Sequence, residues 1–355
     1  MLIREAVPLA PLTTLELGGP ARHFVDAADD GTIVEALRWA AARGLPAAIL
    51  GGGSNLVVGD AGFDGLVVRI ETRGLRFEPK GGEVLLTVAA GEPWDPLVAE
   101  TVGRGLGGIE CLSGIPGLVG ATPIQNVGAY GQEVAETIRS VRVLERGTWQ
   151  VRELSPEACR FGYRDSAFKH EPERHVVLGV SFALGPAAAP ALRYRELADA
   201  LAANTHPTLA DARSTVLALR ARKSMLVVPG DPNRRSAGSF FTNPLVSAAE
   251  ADQVAARAGA DGAAMPRWPV PDGRIKLSAG WLIERAGITR GLRRGAVGIS
   301  SAHALALVHH GGGTTAALLA LAGQVAAAVR LRFGVTLSPE PTLLGTDGAW
   351  NPPAA

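Results

Sequence analysis

Residues 113–131, Ser-Gly-Ile-Pro-Gly-Leu-Val-Gly-Ala-Thr-Pro-Ile-Gln-Asn-Val-Gly-Ala-Tyr-Gly, limit what this chain can fold into more than any other stretch. Five glycines and two prolines break the segment too often for a long helix or a central strand. Yet it contains no Lys, Arg, Asp or Glu, and it carries Ile115, Leu118, Val119, Ile124 and Val127. A solvated linker has the opposite composition. An apolar, glycine-punctuated segment needs partners for its main-chain groups where water is scarce. A large flat polar ligand with many acceptors is one such partner, and glycine lets the backbone approach it. A buried turn cluster is the other reading, and the segment alone does not choose between them.

The rest of the chain narrows the class. Its 355 residues predict two or three domains, and 47% hydrophobic residues predict a globular fold. Lys plus Arg is 35 against 34 for Asp plus Glu, a balance that argues against nucleic acid as a partner. The Arg234–Arg235 and Arg293–Arg294 pairs read as solvated faces. Cys111 and Cys159 are the only cysteines, too few for a disulfide framework, and both read as core thiols in a reducing compartment. No Cys and His spacing suits zinc, so no metal is expected. The start of the chain lacks an apolar signal core. No run of 18 apolar residues exists, and the Ala-rich stretch 316–329, broken by Gly323 and Gln324, reads as a buried helix. Together these predict a soluble cytoplasmic protein without membrane insertion. On protein partners the sequence is silent.

Periodicity places the elements. Strands are expected at 23–25, 47–50, 56–58, 66–70, 84–90 and 176–184, with another near 304–309 and a hairpin over 138–154. Helices are expected at 32–42, 93–104, 211–223, near 247–258, near 279–287 and at 315–330. Residues 186–190 read as a surface turn, 229–239 as a loop and plausible boundary, and the tail from Pro352 as frayed. The mixture is α+β, with a third domain starting near residue 226.

Several short motifs carry candidate chemistry. Gly51-Gly52-Gly53-Ser54-Asn55, between two apolar runs, can present consecutive N–H groups to a phosphate. It lacks the spacing of the dinucleotide fingerprint and of the P-loop, and an ordinary tight turn is the alternative. Arg164, in Phe161-Gly-Tyr-Arg-Asp-Ser-Ala-Phe-Lys169, can hold a carboxylate bidentately or form a surface pair with Asp165. Ser239, between Gly238 and Phe240-Phe241, is either a proton donor to carbon or a turn-capping hydroxyl. No nucleophile elbow surrounds it, so acyl transfer is not indicated. Glu340 is fixed between two prolines. Tyr194, Lys223, Asn243 and Lys276 complete the candidates.

The order of these motifs along the chain is more specific than any one of them. Thr13-Thr-Leu15 with Gly18-Gly19, Leu50 to Asn55, Ile115-Pro-Gly-Leu-Val-Gly120, Pro123-Ile-Gln-Asn126 with Gly128-Ala-Tyr-Gly131, and Phe161 to Ser166 are followed by Gly238-Ser-Phe-Phe241 with Asn243-Pro244, Ala279 to Ile283, and Pro339-Glu340. In this the chain closely resembles the UDP-N-acetylenolpyruvoylglucosamine reductase family over about residues 11–345. It resembles the family's type I, because residues 122–131 follow that type and the Leu192–Leu197 insertion is present.

The resemblance implies an FAD-binding fold of the vanillyl-alcohol-oxidase class in two N-terminal subdomains, residues 1–74 and 75–225. A substrate-binding α+β domain would span 226–335, and a tail over 336–355 would return to the active site. It implies that NADPH reduces FAD and that the enolpyruvyl UDP-sugar is then reduced. FAD would be held by Leu50, Gly51, Gly52, Gly53, Ser54 and Asn55, by Gly114, Ile115, Pro116, Gly120 and Ala121, and by Gln125, Asn126, Gly128 and Tyr130. Ser239, Arg164 and Glu340 would be catalytic. Tyr163, Tyr194, Lys223, Asn243 and Lys276 would bind substrate. Two departures stand out: Thr242 replaces the lysine common after the two phenylalanines, and residues 224–230 are longer than usual. Two rival readings are an FAD-dependent oxidase of the same cofactor fold and a flavin-free nucleotide-sugar binding protein.

Overall fold

The computed structural model describes residues 1–187 and 189–346, and the chain divides into two compact units. The first unit comprises Met1–Val7, Ala21–Gly52 and Asp64–Leu226. One of its sheets orders the strands Arg4–Pro8, Pro20–Ala27, Phe63–Ile70 and Ala47–Leu50. The last two run parallel, from Ala47 opposite Leu66 to Leu50 opposite Arg69. Helix Asp30–Ala41 connects into this sheet. Asp29 caps it by accepting from the Thr32 N–H, and Ile33, Ala36, Leu37 and Ala40 face the core at helical spacing.

The larger sheet of this unit is antiparallel. Its main path is Gln150–Leu154, Ile138–Glu145, His175–Pro186, Glu83–Ala89 and Leu75–Lys80. His175–Pro186 is central, and Val176, Val177, Leu178, Val180, Phe182 and Leu184 are all buried. Trp94, at the start of helix Trp94–Gly103, packs on Phe182 with ring centres 6.0 Å apart and donates its indole N–H to the Leu112 carbonyl. Helices Arg195–Leu201 and Leu209–Arg222 pack around buried Cys111. Burial pushes the Cys111 thiol up to about 12, with the Glu110 charge adding to it, and burial does the same for Cys159. Both are inert core thiols.

The second unit draws on Pro8–Pro20, Gly53–Phe63 and the chain from Val227 onward. Two small antiparallel sheets join Leu245–Val246, Ile275–Leu277 and Arg267–Pro269, and Arg293–Arg294, Val297–Ile299 and Leu307–His309. Strand Thr342–Leu344 lies parallel to Leu56–Val58. Ser247 with Glu250 forms a capping box for helix Ala248–Ala258, and Ser278 caps Ala279–Arg285. Helix Thr315–Phe333 is long and apolar enough to cross a membrane by length and composition. Its Leu318, Leu321, Val325, Val329 and Phe333 are nevertheless buried in this unit's core, as the Ala-rich stretch predicted.

The structure corrects several expected bounds. Helix 211–223 begins at Leu209, because Thr208 and Asp211 form the capping box there. Helix 315–330 continues to Phe333 and stops at Gly334, whose φ of 75° suits a glycine. The strand expected over 304–309 is only Leu307–His309, since Ala306 turns back to the His303 carbonyl. The tail from Pro352 lies outside the described residues.

Candidate functional site

In the first unit, strand Ala47–Leu50 delivers buried Leu50 and then Gly51 and Gly52 to the surface of the apolar loop. A Cβ on Gly52 would stand 2.8 Å from the Gly117 Cα, so glycine is required for this approach. The loop is anchored from behind. Trp94 N–H donates to the Gly117 carbonyl, Val119 N–H to Glu92 and Gly120 N–H to Ala90. Gly120 has no room for a side chain either, since its Cβ would meet that of Ala90 at 2.5 Å. Among the described residues, the main-chain N–H groups of Gly52, Gly117 and Leu118 have no hydrogen-bond partner. Unpaired main-chain donors on two touching loops suit an anion such as a diphosphate.

Ile115 packs partly against the core, Ala121 is exposed, and Gln125 is half-buried. Farther along, Asn126 is buried with φ of 43°. Its amide donates to Glu133 Oε2 at 2.7 Å and to the Gly162 carbonyl at 2.9 Å, and its Oδ1 accepts from Ala135 N–H. That side chain therefore braces the loop. Arg164, itself at φ of 52°, donates to the Gly128 and Asn126 carbonyls and lies 3.9 Å from Glu133. Its guanidinium sits 5.3 Å from the Tyr163 ring centre. The surface pairing with Asp165 is not what holds it; Asp165 pairs with His170.

Gly114, which opens the loop with φ of 72°, is tethered. Its N–H donates to Asp95 Oδ1 at 2.6 Å, and Arg213 grips the same carboxylate with two bonds, at 2.6 and 2.9 Å. Burial alone would raise the Asp95 carboxyl. The Arg213 and Gly114 hydrogen bonds outweigh it and hold Asp95 below the usual range. At the loop's other end, Tyr130 and Tyr194 meet edge to face at 5.4 Å. Burial pushes the Tyr130 hydroxyl up to about 12. Lys223 pairs with Glu196 at 2.5 Å, with its Nζ 5.8 Å from the Tyr130 ring centre.

In the second unit, Gly53 accepts from Thr14 N–H, and Asn55 donates to the Glu340 carbonyl at 3.4 Å. Ser239 follows Gly238, at φ of 73°, and precedes buried Phe240 and Phe241, whose rings contact edge to face at 5.2 Å. Glu340 N–H donates to the Phe240 carbonyl at 2.9 Å, so the serine loop and Glu340 are brought together. Asn243 accepts from Ala279 N–H at the start of helix Ala279–Arg285. Lys276 lies over the Trp268 ring at 5.7 Å. Glu16 grips both Arg234 and Arg235. Burial opposes ionisation of Glu16, but the two arginines win and depress its pKa.

The candidates thus fall into two groups. Arg164, Tyr163, Tyr194 and Lys223 share the first unit with the apolar loop, while Ser239, Glu340, Asn243 and Lys276 share the second. Sequence reasoning missed Asp95, Arg213 and Arg220 around Gly114. The spacing of Arg213, Leu217 and Arg220 at i, i+4 and i+7 was the available signal for a shared helix face.

Comparison with known proteins agrees with this arrangement. Residues 21–152 match the family described as FAD binding domain, and residues 231–344 match the UDP-N-acetylenolpyruvoylglucosamine reductase, C-terminal domain. The UDP-N-acetylenolpyruvoylglucosamine reductase of Saccharopolyspora erythraea is 53% identical over 346 residues, covering 95% of this chain and 94% of the relative. That of Streptomyces coelicolor is 50% identical, covering 95% and 89%. The crystal structure of the Thermus caldophilus enzyme of that name superposes with a TM-score of 0.66 at 26% identity, covering 97% of this chain and 100% of the other. The α+β architecture with an FAD-binding domain is as expected. At half-identity over nearly its whole length, the chain belongs to the UDP-N-acetylenolpyruvoylglucosamine reductase family.

Proposed function

We propose that this chain catalyses the NADPH-dependent reduction of the enolpyruvyl ether of UDP-N-acetylglucosamine, giving UDP-N-acetylmuramate. The observation that carries the chemistry is the Glu340 N–H to Phe240 carbonyl bond, which holds the Ser239 loop beside Glu340. The first unit fits FAD: the unpartnered N–H groups of Gly52, Gly117 and Leu118 suit its diphosphate, and the uncharged 113–131 loop suits its flat ring. Bound FAD supplies hydride-transfer chemistry between NADPH and the substrate's methylene carbon. The chain's own residues do the rest. As negative charge builds on the carbon next to the carboxylate, Arg164 stabilises it, and such preorganised electrostatics are commonly the largest catalytic contribution. Ser239 then gives its hydroxyl proton to that carbon, with Glu340 positioned to assist. Tyr163, Tyr194, Lys223, Asn243 and Lys276 bind the nucleotide sugar. Thr242 bonds the Ser338 carbonyl through its N–H and contributes no charge at this position.

We retain the division into subdomains 1–74 and 75–225, a substrate domain 226–335 and a tail 336–355. The free, buried Cys111 and Cys159 support a cytoplasmic setting.

The test is spectroscopic. The purified protein should be yellow, bleach anaerobically with NADPH, and regain colour on adding the enolpyruvyl UDP-sugar. Bleaching without recovery would overturn the substrate assignment, and rapid reoxidation by air without the sugar would favour an oxidase. A colourless protein that gains no flavin on adding FAD would overturn the cofactor reading.

A further inference from the structure

Helix Leu209–Arg222 turns Arg213, Leu217 and Arg220 to one face, and this face meets the start of the apolar loop. A Cβ on Gly114 would stand 2.7 Å from Leu217 Cδ2 and 3.3 Å from Arg220 Cδ. The cations around this face are compensated unequally. Arg213 has Asp95, and Lys223, just past the helix end, has Glu196. Arg220 has no carboxylate of its own. It is only 8% exposed, yet among the described residues the one hydrogen bond of its guanidinium is from Nη2 to the Met225 carbonyl, at 2.8 Å. Its Nε is buried with no partner at all.

The titratable groups that act on Arg220 are few. The Asp95 carboxylate is already shared between Arg213 and the Gly114 N–H, and the Tyr130 hydroxyl stays neutral near pH 7. Burial draws the Arg220 pKa down, and of these two neighbours only Asp95 carries a charge near pH 7 to oppose it. A guanidinium removed from water without a counter-charge is strongly unfavourable, and such groups concentrate at functional sites. The 113–131 loop beside it brings no ion of either sign.

We propose that Arg220 is an anion-binding residue of this site, completed by the phosphate group of a bound ligand. The proposal rests on the functional reading above. Two ligands of that reading carry the chemistry: the diphosphate of FAD and the diphosphate of the nucleotide sugar. Charge-assisted bonds to phosphate would supply the donors' missing partners, and the charge would be neutralised only in the complex.

The experiment uses the full chain with Arg220→Met, which keeps length and removes charge, and Arg220→Lys, which keeps charge. Apoprotein is titrated with FAD by flavin fluorescence, and holoprotein with UDP by the flavin difference spectrum. The methionine variant should weaken at least one titration about ten-fold or more, and lysine should recover most of it. The arm that weakens identifies the phosphate. Unfolding of the methionine apoprotein should occur at or above the wild-type temperature, because an uncompensated buried charge has been removed. Both titrations within two-fold of wild type would overturn the proposal. So would a methionine apoprotein melting well below wild type with neither titration restored by lysine, which would make Arg220 a packing element. A wild-type chain that binds neither probe would overturn the functional reading together with the proposal, whereas unchanged variant titrations against a binding wild type overturn the proposal alone.

Discussion

Replacing Asp95 with alanine should cut the tether that holds Gly114 at the mouth of the apolar loop. Three hydrogen bonds disappear together: two from Arg213 and one from the Gly114 N–H. Exposed ion pairs contribute about 0–1 kcal/mol, and breaking a fully buried pair costs about 3–5 kcal/mol. The Asp95 side chain is 33% exposed and Arg213 17%, between those limits, so a loss of about 2 kcal/mol follows. For a domain of this size that is about 4–8 °C in melting temperature.

The same interaction predicts a pH signature. Asp95 is held below its ordinary pKa in the folded state. Its contribution is therefore fully present above the unfolded carboxyl value of about 3.9, and it is lost as pH falls through the lower folded value. Melting curves of wild type and Asp95→Ala at pH 7, 5 and 3 test this. The gap should be widest at pH 7, hold at pH 5 and shrink at pH 3. A gap below 2 °C at pH 7, or one that stays constant into acid, would refute the reasoning.

Ser239→Ala should leave flavin reduction by NADPH unchanged while turnover of the enolpyruvyl substrate falls about 10²–10⁴-fold; stopped-flow absorbance separates the two half-reactions, and wild-type turnover would remove the serine from the mechanism. Gly52→Ala pushes a methyl group to 2.8 Å from the Gly117 Cα, which is backbone and cannot rotate away. Affinity for FAD should drop about ten-fold or more as the two loops part, and equilibrium dialysis giving the wild-type constant would show that the close approach does not matter for the cofactor.

The apolar loop was legible because its composition is abnormal: glycine and proline without charge state a local physical problem that has few solutions. Helices such as Ala248–Ala258 were legible because caps and periodicity are local. Strand Leu75–Lys80 was not, since as an edge strand carrying Pro79 and three charged residues it follows no alternation. Nor was the short helix Arg195–Leu201, whose buried positions are only Leu197 and Leu201. Ser239 had a turn-capping alternative, and its association with Glu340 came from resemblance; the hydrogen bond from Glu340 N–H to Phe240, next to Ser239, is a contact across a hundred residues that no local pattern encodes. Asn126 is the converse case. Its position in the loop suggested a cofactor contact, while its side chain is saturated by Glu133, Gly162 and Ala135. Arg220 could not be singled out from sequence, because what distinguishes it from Arg213 is the partner it lacks.

The second unit is stitched from segments at both ends of the chain. Thr315 bonds the Val58 carbonyl across 257 positions, Asn55 bonds Glu340 across 285, and His309 bonds Leu15 across 294. During synthesis, residues 8–20 and 53–63 therefore leave the ribosome long before their partners exist. Leu15, Leu17 and Val57, all destined for that core, must wait in water while the first unit can already collapse around its own strands. Loop closure over such spans adds little equilibrium penalty, since the entropy grows only with the logarithm of length. Its effect is on timing and exposure: the serine and glutamate arrive last, and the nascent chain carries unsatisfied apolar segments until translation is nearly complete. Premature termination between residues 227 and 340 would leave a product holding every segment of the first unit but an incomplete second core, whose stranded Leu15, Leu17 and Val57 invite aggregation.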